Sequence, residues 1–330
     1  MKKKIALLAG GFTGESVVSL KSAAQIEEVL DYNLFDVYKI IITPDKWFFQ
    51  NTDGEKIDVD KNDFSITLNQ EKIKFDVVFI IIHGTPGEDG KLQSYFDLLS
   101  IPYTTCDATT SALTMNKGYT KAVVYGITGL NIANSIQLFN QEESNVPEIE
   151  SQLKLPLFIK PNNGGSSIGM SKVNHWEDLQ EALNKAFAED SQILIEEFIK
   201  GREFTVGVYK AKNELTVLPI TEIISSKEFF DFEAKYTTGI SEEITPADIS
   251  DDINYRVAEI VKSVYLKLNC KGMVRVDFIL QDFTEEFFFI EINTVPGQSA
   301  NSIIPQQVKA TGMTMTHFYT LLIEEALTTA

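Results

Sequence analysis

Apolar positions in the first third of the chain come in short continuous runs. Lys4 to Ala9, Val37 to Ile42 and Asp76 to Ile82 each read as a strand, and the last holds the unbroken run Val77-Val-Phe-Ile-Ile-Ile82. Runs of this kind, without alternation, predict strands covered on both faces, as in a parallel sheet. After the first run a glycine-rich turn leads into a segment with helical spacing, Ser16 to Leu30. Strand and helix in alternation predict an α/β sheet domain. Further helices are predicted over Thr109 to Met115 and Thr120 to Ile127, flanking Lys117, the second closed by Gly129. The polar stretch from Gln141 to Gln152 is expected to be a connector.

The middle of the chain changes character. Leu157 to Lys160 predicts a strand, Pro161 to Gly169 a loop, Met170 to Val173 a strand and Trp176 to Phe187 a helix. Ile193 to Glu197 and Glu203 to Tyr209 predict two strands with a turn at Gly201. Mixed strands are then expected to lead to a hairpin over 273–293 and a closing helix from Met315 to Ala326. Ser225 to Ser250 is polar, dotted with aromatics and irregular, as lids are.

Composition narrows the class of protein. A chain of 330 residues has room for two or three domains with full cores. Its 44% hydrophobic and 23% charged residues are ordinary for a soluble globular protein. A formal charge of −18 argues against a nucleic-acid partner, which would call for concentrated Lys and Arg. Cys106 and Cys270 lack metal or redox spacing and read as small core residues in a reducing compartment. The run Ile5 to Ala9 is too short for a signal peptide and Val77 to Ile82 too short to span a bilayer. The expectation is a cytoplasmic protein without a membrane partner.

The densest candidate chemistry lies on the hairpin. Strand residues two apart share a face, so Arg275 pairs with Asp277 and Glu291 with Asn293. Folding about Thr284 sets Asp277 opposite Glu291, where two carboxylates repel unless a cation lies between them. Two carboxylates and an amide oxygen suit magnesium, with phosphates completing its shell. Lys160 followed by a Gly- and Ser-rich loop could cradle phosphate, although the P-loop spacing is absent and an ordinary hairpin turn would look the same. Gly10-Gly-Phe-Thr-Gly14-Glu15 is not spaced for a dinucleotide. Glu15 at a helix start would repel a phosphate and attract an ammonium group, or simply compensate the helix dipole. His83, at the carboxyl end of a buried strand beside glycines, fits a binding or a structural role. Asp58 to Asn62 resembles a calcium loop but fails where Asp63 and Asn69 stand. Glu196, Glu197 and Glu203 could meet an adenine amino group and ribose hydroxyls, or form a solvated turn. Lys235, in Glu233-Ala-Lys-Tyr236, could arrive on lid closure and neutralise phosphoryl charge.

In this order and spacing the pieces resemble the ATP-grasp superfamily and, within it, the D-alanine–D-alanine ligase family. Gly10-Gly-x-x-x-Glu15-x-x-x-Ser19, His83-Gly-x-x-Gly-Glu-Asp-Gly90 and Met115-Asn-Lys117 carry the resemblance, with Lys160-Pro, Gly165-Ser-Ser-Ile-Gly-Met170 and Glu203-Phe-Thr-Val. Glu233-Ala-Lys-Tyr236, Arg275-Val-Asp277 and Glu291-Ile-Asn-Thr-x-Pro-Gly297 complete it. The resemblance covers essentially the whole chain and implies a Rossmann-like α/β N-terminal domain followed by two α+β domains that sandwich ATP. The expected bounds are 1–104, 105–196 and 197–330.

It further implies that Lys117, Lys160, Ser167 and Lys235 meet ATP phosphates, that Glu196 and the Ile199 backbone read adenine, and that Glu203 holds the ribose. Asp277, Glu291 and Asn293 would bind two magnesium ions, with manganese as a substitute. Glu15 would hold the ammonium of a first D-alanine, with His83 near its carboxylate, and Glu15, Ser166 and Tyr236 would form a hydrogen-bonded trio. Arg275 and the Gly297 backbone would stabilise an oxyanion, and Ser302 and Ile303 would hold the second D-alanine. The implied reaction phosphorylates one D-alanine carboxylate and lets the amine of another displace phosphate, for peptidoglycan precursors. A homodimer is expected. Tyr236 favours an amine acceptor over a hydroxy acid. A ligase with a D-lactate or D-serine acceptor, a nucleotide-cofactor oxidoreductase and a non-catalytic nucleotide-binding or regulatory protein of the same fold are the rival readings. Three departures stand out: Asn116 replaces a frequent Asp, Ser16 and Val17 replace frequent charged residues, and Gly239 to Glu243 matches weakly.

Overall fold

The structure, a computed structural model, describes residues 2–51, 53–165, 168–225 and 241–328. In its first sheet strand Lys3–Gly10 lies between two parallel neighbours, Phe35–Ile42 on one side and Val77–Ile80 on the other. Ile5 to Ala9 has no exposed surface, because both faces are covered. Ile5, Leu7 and Ala9 pack with Phe318, Tyr319 and Leu322, whereas Ala6 and Leu8 pack with Phe64, Leu92 and Phe96. Helices Ser16–Val29 and Met315–Thr328 both cover the first face, so the last helix described closes the sheet that holds the first strand. Two antiparallel strands not anticipated from sequence, Trp47–Gln50 and Lys56–Asp58, extend the far edge.

The second sheet is antiparallel, ordered Ser171–Val173, Leu157–Pro161, Ile193–Glu197, Ser135–Leu138. Helix Leu179–Phe187 covers its apolar face through Leu179, Ala182, Leu183 and Ala186. The segment read as a plain connector instead folds into a 3-10 turn, Gln141–Glu143, and helix Val146–Gln152. Asn140 caps the first by accepting from Glu143 N, Pro147 suits the start of the second, and Ile149 anchors it.

The third sheet runs Ser241–Ile244, Thr221–Ser225, Gly201–Ala211, Met273–Gln281, Phe287–Asn293, Leu130–Asn131. Helix Asp251–Lys267 packs on it where only mixed strands were expected. The signal was present: Ile253, Val257, Ile260, Val261 and Val264 recur at helical spacing behind a Ser250 cap. Gly201 does not turn the chain. It is the first residue of its strand, paired with Gln281, where an added Cβ would stand 2.1 Å from Leu280 O, and the turn falls just before it. Cys106 and Cys270 are free and buried, as expected of core residues.

Candidate nucleotide and amino-acid site

The hairpin forms with the expected pairing: Asp277 opposite Glu291 and Arg275 opposite Asn293. Beyond Asp277 the register shifts, so that Phe278 pairs with Phe289 and Ile290 becomes the extra residue of a β-bulge. That residue matters. Phe287 and Phe289 are buried in the core, and strict alternation would send Glu291 after them. The bulge turns Glu291 and Asn293 to the face that carries Arg275 and Asp277.

Repulsion between the two carboxylates is met by cations of the protein itself. Arg275 donates from Nε to Asp277 Oδ1 at 2.9 Å and from Nη2 to Oδ2 at 2.7 Å. Asn293 Nδ2 donates to Oδ2 at 3.0 Å, and Thr205, across the neighbouring strand, donates to Oδ1. Burial works against the Arg275 charge, but Asp277, with Glu291 and Glu88 beyond it, outweighs this and raises the guanidinium pKa further. Lys117 Nζ stands 3.5 Å from Glu291 Oε2. Asp277, Glu291 and Asn293 thus offer a partial shell of oxygen donors on one face, which fits a hard divalent ion that keeps phosphate and water ligands.

Lys117 opens helix Lys117–Val124, whose start is capped by Asn116 accepting from Tyr119 N at 2.9 Å. Asn therefore caps as the more frequent Asp would. The Lys117 ammonium also donates to Gly164 O in the glycine-rich loop. Lys160 and Glu196 come together because Phe158 pairs with Glu196 and Lys160 with Leu194, which puts the two charged residues diagonally on one sheet face. Both are buried, as is Lys121, which the sequence reading missed. Lys160 and Lys121 each contact one oxygen of the Glu196 carboxylate. Glu196 is therefore no solvated acid. Ile199 and Glu203 follow it, the first in the turn and the second on strand Gly201–Ala211. The signal for Lys121 was its place four residues after Lys117, on the same helical face.

Glu15 begins helix Ser16–Val29 but makes no capping bond with its side chain. Its carboxylate instead lies against two glycines: a Cβ on Gly84 would stand 2.7 Å from Oε2, and one on Gly165 would stand 2.7 Å from Oε1. The first-sheet loops and the glycine-rich loop thus close on one acid. His83 is buried, its Nδ1 2.8 Å from Val295 O and its Nε2 3.4 Å from Ser22 Oγ. Burial lowers its pKa, so the ring is neutral, with the Nδ1 proton directed at the carbonyl. Contact with a substrate carboxylate would require one of these bonds to be given up. Glu88, quoted in the sequence only as part of a motif, is a second staple: it accepts from Gly84 N at 2.7 Å and Val295 N at 3.2 Å. Its burial pushes the carboxyl up to about 8.

Gly297 approaches Ser302, whose Oγ bonds Ser299 Oγ at 2.7 Å, and Ser302 and Ile303 start helix Ile303–Ala310. A helix start of this kind suits a carboxylate. Ser166, Ser167, Lys235 and Tyr236 lie outside the described residues.

Comparison with known proteins agrees with this geometry. Models described as D-ala D-ala ligase N-terminus and C-terminus match residues 4–106 and 126–324. The D-alanine--D-alanine ligase of Phocaeicola vulgatus is 44% identical over 98% of this chain and 99% of its own. Among solved structures, the VanG D-Ala:D-Ser ligase from Enterococcus faecalis superposes with a TM-score of 0.89 at 33% identity, over 99% of this chain and 100% of that one. The D-alanine-D-alanine ligase from Coxiella burnetii superposes with a TM-score of 0.86 at 25% identity, over 99% of this chain and 94% of that one.

Proposed function

Because this chain belongs to the D-alanine–D-alanine ligase family, we propose that it uses ATP to join two D-alanine molecules into D-alanyl-D-alanine. ADP and phosphate are released, and the product serves peptidoglycan precursor synthesis. One observation carries the reading. Adjacent residues of the glycine-rich loop meet the two kinds of chemistry: Gly165 abuts the Glu15 carboxylate, and Gly164 O binds the Lys117 ammonium. An acid able to hold an amine and a cation able to hold a phosphate thus lie against neighbouring residues of one loop.

A free carboxylate is a poor electrophile, so the first D-alanine is activated by transfer of the ATP γ-phosphoryl group to its carboxylate. Glu15 holds its ammonium, within a trio completed by Ser166 and Tyr236. Lys117, Lys160, Ser167 and Lys235 gather the phosphates, Glu196 and the Ile199 backbone the adenine, and Glu203 the ribose. Magnesium held by Asp277, Glu291 and Asn293 would supply charge neutralisation at the phosphate oxygens. The amine of the second D-alanine, its carboxylate held at Ser302 and Ile303, attacks the acyl phosphate. Arg275 and the Gly297 N–H stabilise the oxyanion, and phosphate leaves. Positioning and electrostatics carry the rate. The same reading divides the chain near 104 and 196, with ATP between the later two parts, and expects a cytoplasmic homodimer. No helix among the described residues is long and apolar enough to cross a membrane.

Phosphate release from ATP that requires both D-alanine and magnesium, with the dipeptide identified by mass, tests this reading. D-Alanine-independent ATP turnover, or none, would count against it. Likeness to the VanG D-Ala:D-Ser ligase favours D-serine as a second acceptor reading. Competition between labelled D-alanine and D-serine decides between them.

A further inference from the structure

Lys121 is a buried lysine to which the reaction above gives no task. It lies one turn after Lys117 on helix Lys117–Val124, and 4% of its surface is exposed. Its Nζ contacts one oxygen of Glu196, itself 5% exposed, while Lys160 contacts the other. Burial first, then repulsion from Lys160 and Lys117, hold its pKa well below the ordinary lysine value against the attraction of Glu291. Burying an ammonium costs several kcal/mol unless a counter-ion meets it, and an apolar side chain of the same volume packs at least as well. Packing alone therefore gives no reason for a lysine at this position.

What separates the three lysines is the work left for each once nucleotide binds. Lys117 and Lys160 have phosphates to meet. When Lys160 turns to them, Glu196 keeps one Nζ partner, Lys121. We propose that Lys121 is a positioning residue for nucleobase choice, holding the Glu196 carboxylate as an oriented acceptor for the exocyclic amine of adenine. This rests on the reading of Glu196 as the adenine contact. Hypoxanthine and guanine present a carbonyl oxygen where adenine presents the amine, and two acceptors facing each other in a dry site repel. Without Lys121, a buried Glu196 would take up a proton and could then donate to that carbonyl, so the preference would fade.

The test is calorimetric binding of ADP and of IDP, its hypoxanthine counterpart, with magnesium, to wild type, Lys121→Met and Lys121→Arg. Wild type is expected to prefer ADP by at least about tenfold, the scale of a hydrogen bond to a charged group. Lys121→Met should weaken ADP by about tenfold or more while IDP changes by less than about threefold, and Lys121→Arg should restore most of the preference. If Lys121→Met does not fold, Lys121→Gln is read in the same way. Equal weakening of both nucleotides, or no change in either, would leave Lys121 a structural residue and overturn the proposal. Equal binding of ADP and IDP by wild type would remove the Glu196 premise and the proposal together. Neither outcome depends on D-alanine turnover, so failure of the ligase reading would show separately.

Discussion

Asp277 stands directly across the hairpin from Glu291, and each carboxylate faces a different cation of the protein: Arg275 grips the first and Lys117 approaches the second. The two positions are therefore unequal in stability although they share a proposed function. Asp277→Ala leaves a partly buried guanidinium without its carboxylate, which costs up to about 3 kcal/mol. Glu291→Ala leaves a lysine that still bonds Gly164 O and should cost less than about half as much. Both variants are expected to lose at least about a thousandfold in D-alanine-dependent phosphate release. Chemical denaturation beside the activity assay checks both halves. Retained turnover in the two variants would mean that these acids do not hold the metal.

Glu88 gives the stability a specific pH dependence. Its carboxyl is pushed from an ordinary 4.5 up to about 8 by burial. The folded state therefore binds a proton that the unfolded state releases between those values, and stability falls as pH rises through the window. His83, whose pKa burial lowers, has the opposite sign and acts as pH falls below its ordinary 6.5. Burial also lowers the Lys121 pKa well below its ordinary value, which adds a dependence of opposite sign above neutrality. Glu88 is therefore read as the difference between wild type and variant between about 6.5 and 8, where its own contribution approaches a limit of about 1.4 kcal/mol per pH unit. Glu88→Gln should flatten thermal stability across that interval relative to wild type. Parallel curves for the two proteins would remove Glu88 as the source.

How far the sequence revealed this site depended on how local each feature is. The pairing of Asp277 with Glu291 is what a hairpin folded about Thr284 gives, which is readable in a short segment. The bulge at Ile290 is not, because it answers to the burial of Phe287 and Phe289 in a core assembled from distant elements. Gly201 misled for a similar reason: glycine suits a turn, yet here it serves a close approach to Leu280 O. Lys121 escaped notice because the helix was expected to start at Thr120, which hid its one-turn spacing from Lys117. The buried state of Glu196 depends on a diagonal between two strands, which no local pattern specifies.

His83 joins the first sheet to the segment that leads into the proposed acceptor site. Its Nδ1 donates to Val295 O at 2.8 Å, and Ser22 Oγ, which lies 3.4 Å from Nε2, also accepts from Gln298 N at 3.1 Å. His83→Ala leaves a buried carbonyl without that partner, at a cost of about 1–3 kcal/mol. Because Gly297 and Ser302 follow in the loosened segment, the KM for the second D-alanine should rise more than the KM for the first. A variant in which both rise equally, or ATP binding alone suffers, would place His83 elsewhere in the reaction.

Gly165 supplies the most direct test of the glycine-rich loop. A methyl group there would stand 2.7 Å from Glu15 Oε1, inside contact distance. The obstructing atom is the end of a flexible side chain, so Gly165→Ala should fold, with the Glu15 carboxylate pushed aside. Gly84→Ala meets the other oxygen at the same distance but also asks alanine to adopt a φ of +64°, which adds about 1 kcal/mol of backbone cost. The pair separates site from scaffold. If Glu15 holds the ammonium of the first D-alanine, Gly165→Ala should raise the KM for that substrate about tenfold or more, the loss expected of a charge-assisted hydrogen bond. Its thermal stability and ADP affinity should stay near wild type, whereas Gly84→Ala should lose stability as well. Steady-state kinetics at varied D-alanine, with calorimetry of ADP, read the two effects independently. An unchanged KM in a folded Gly165→Ala variant would mean that the Glu15 carboxylate does not meet the substrate amine.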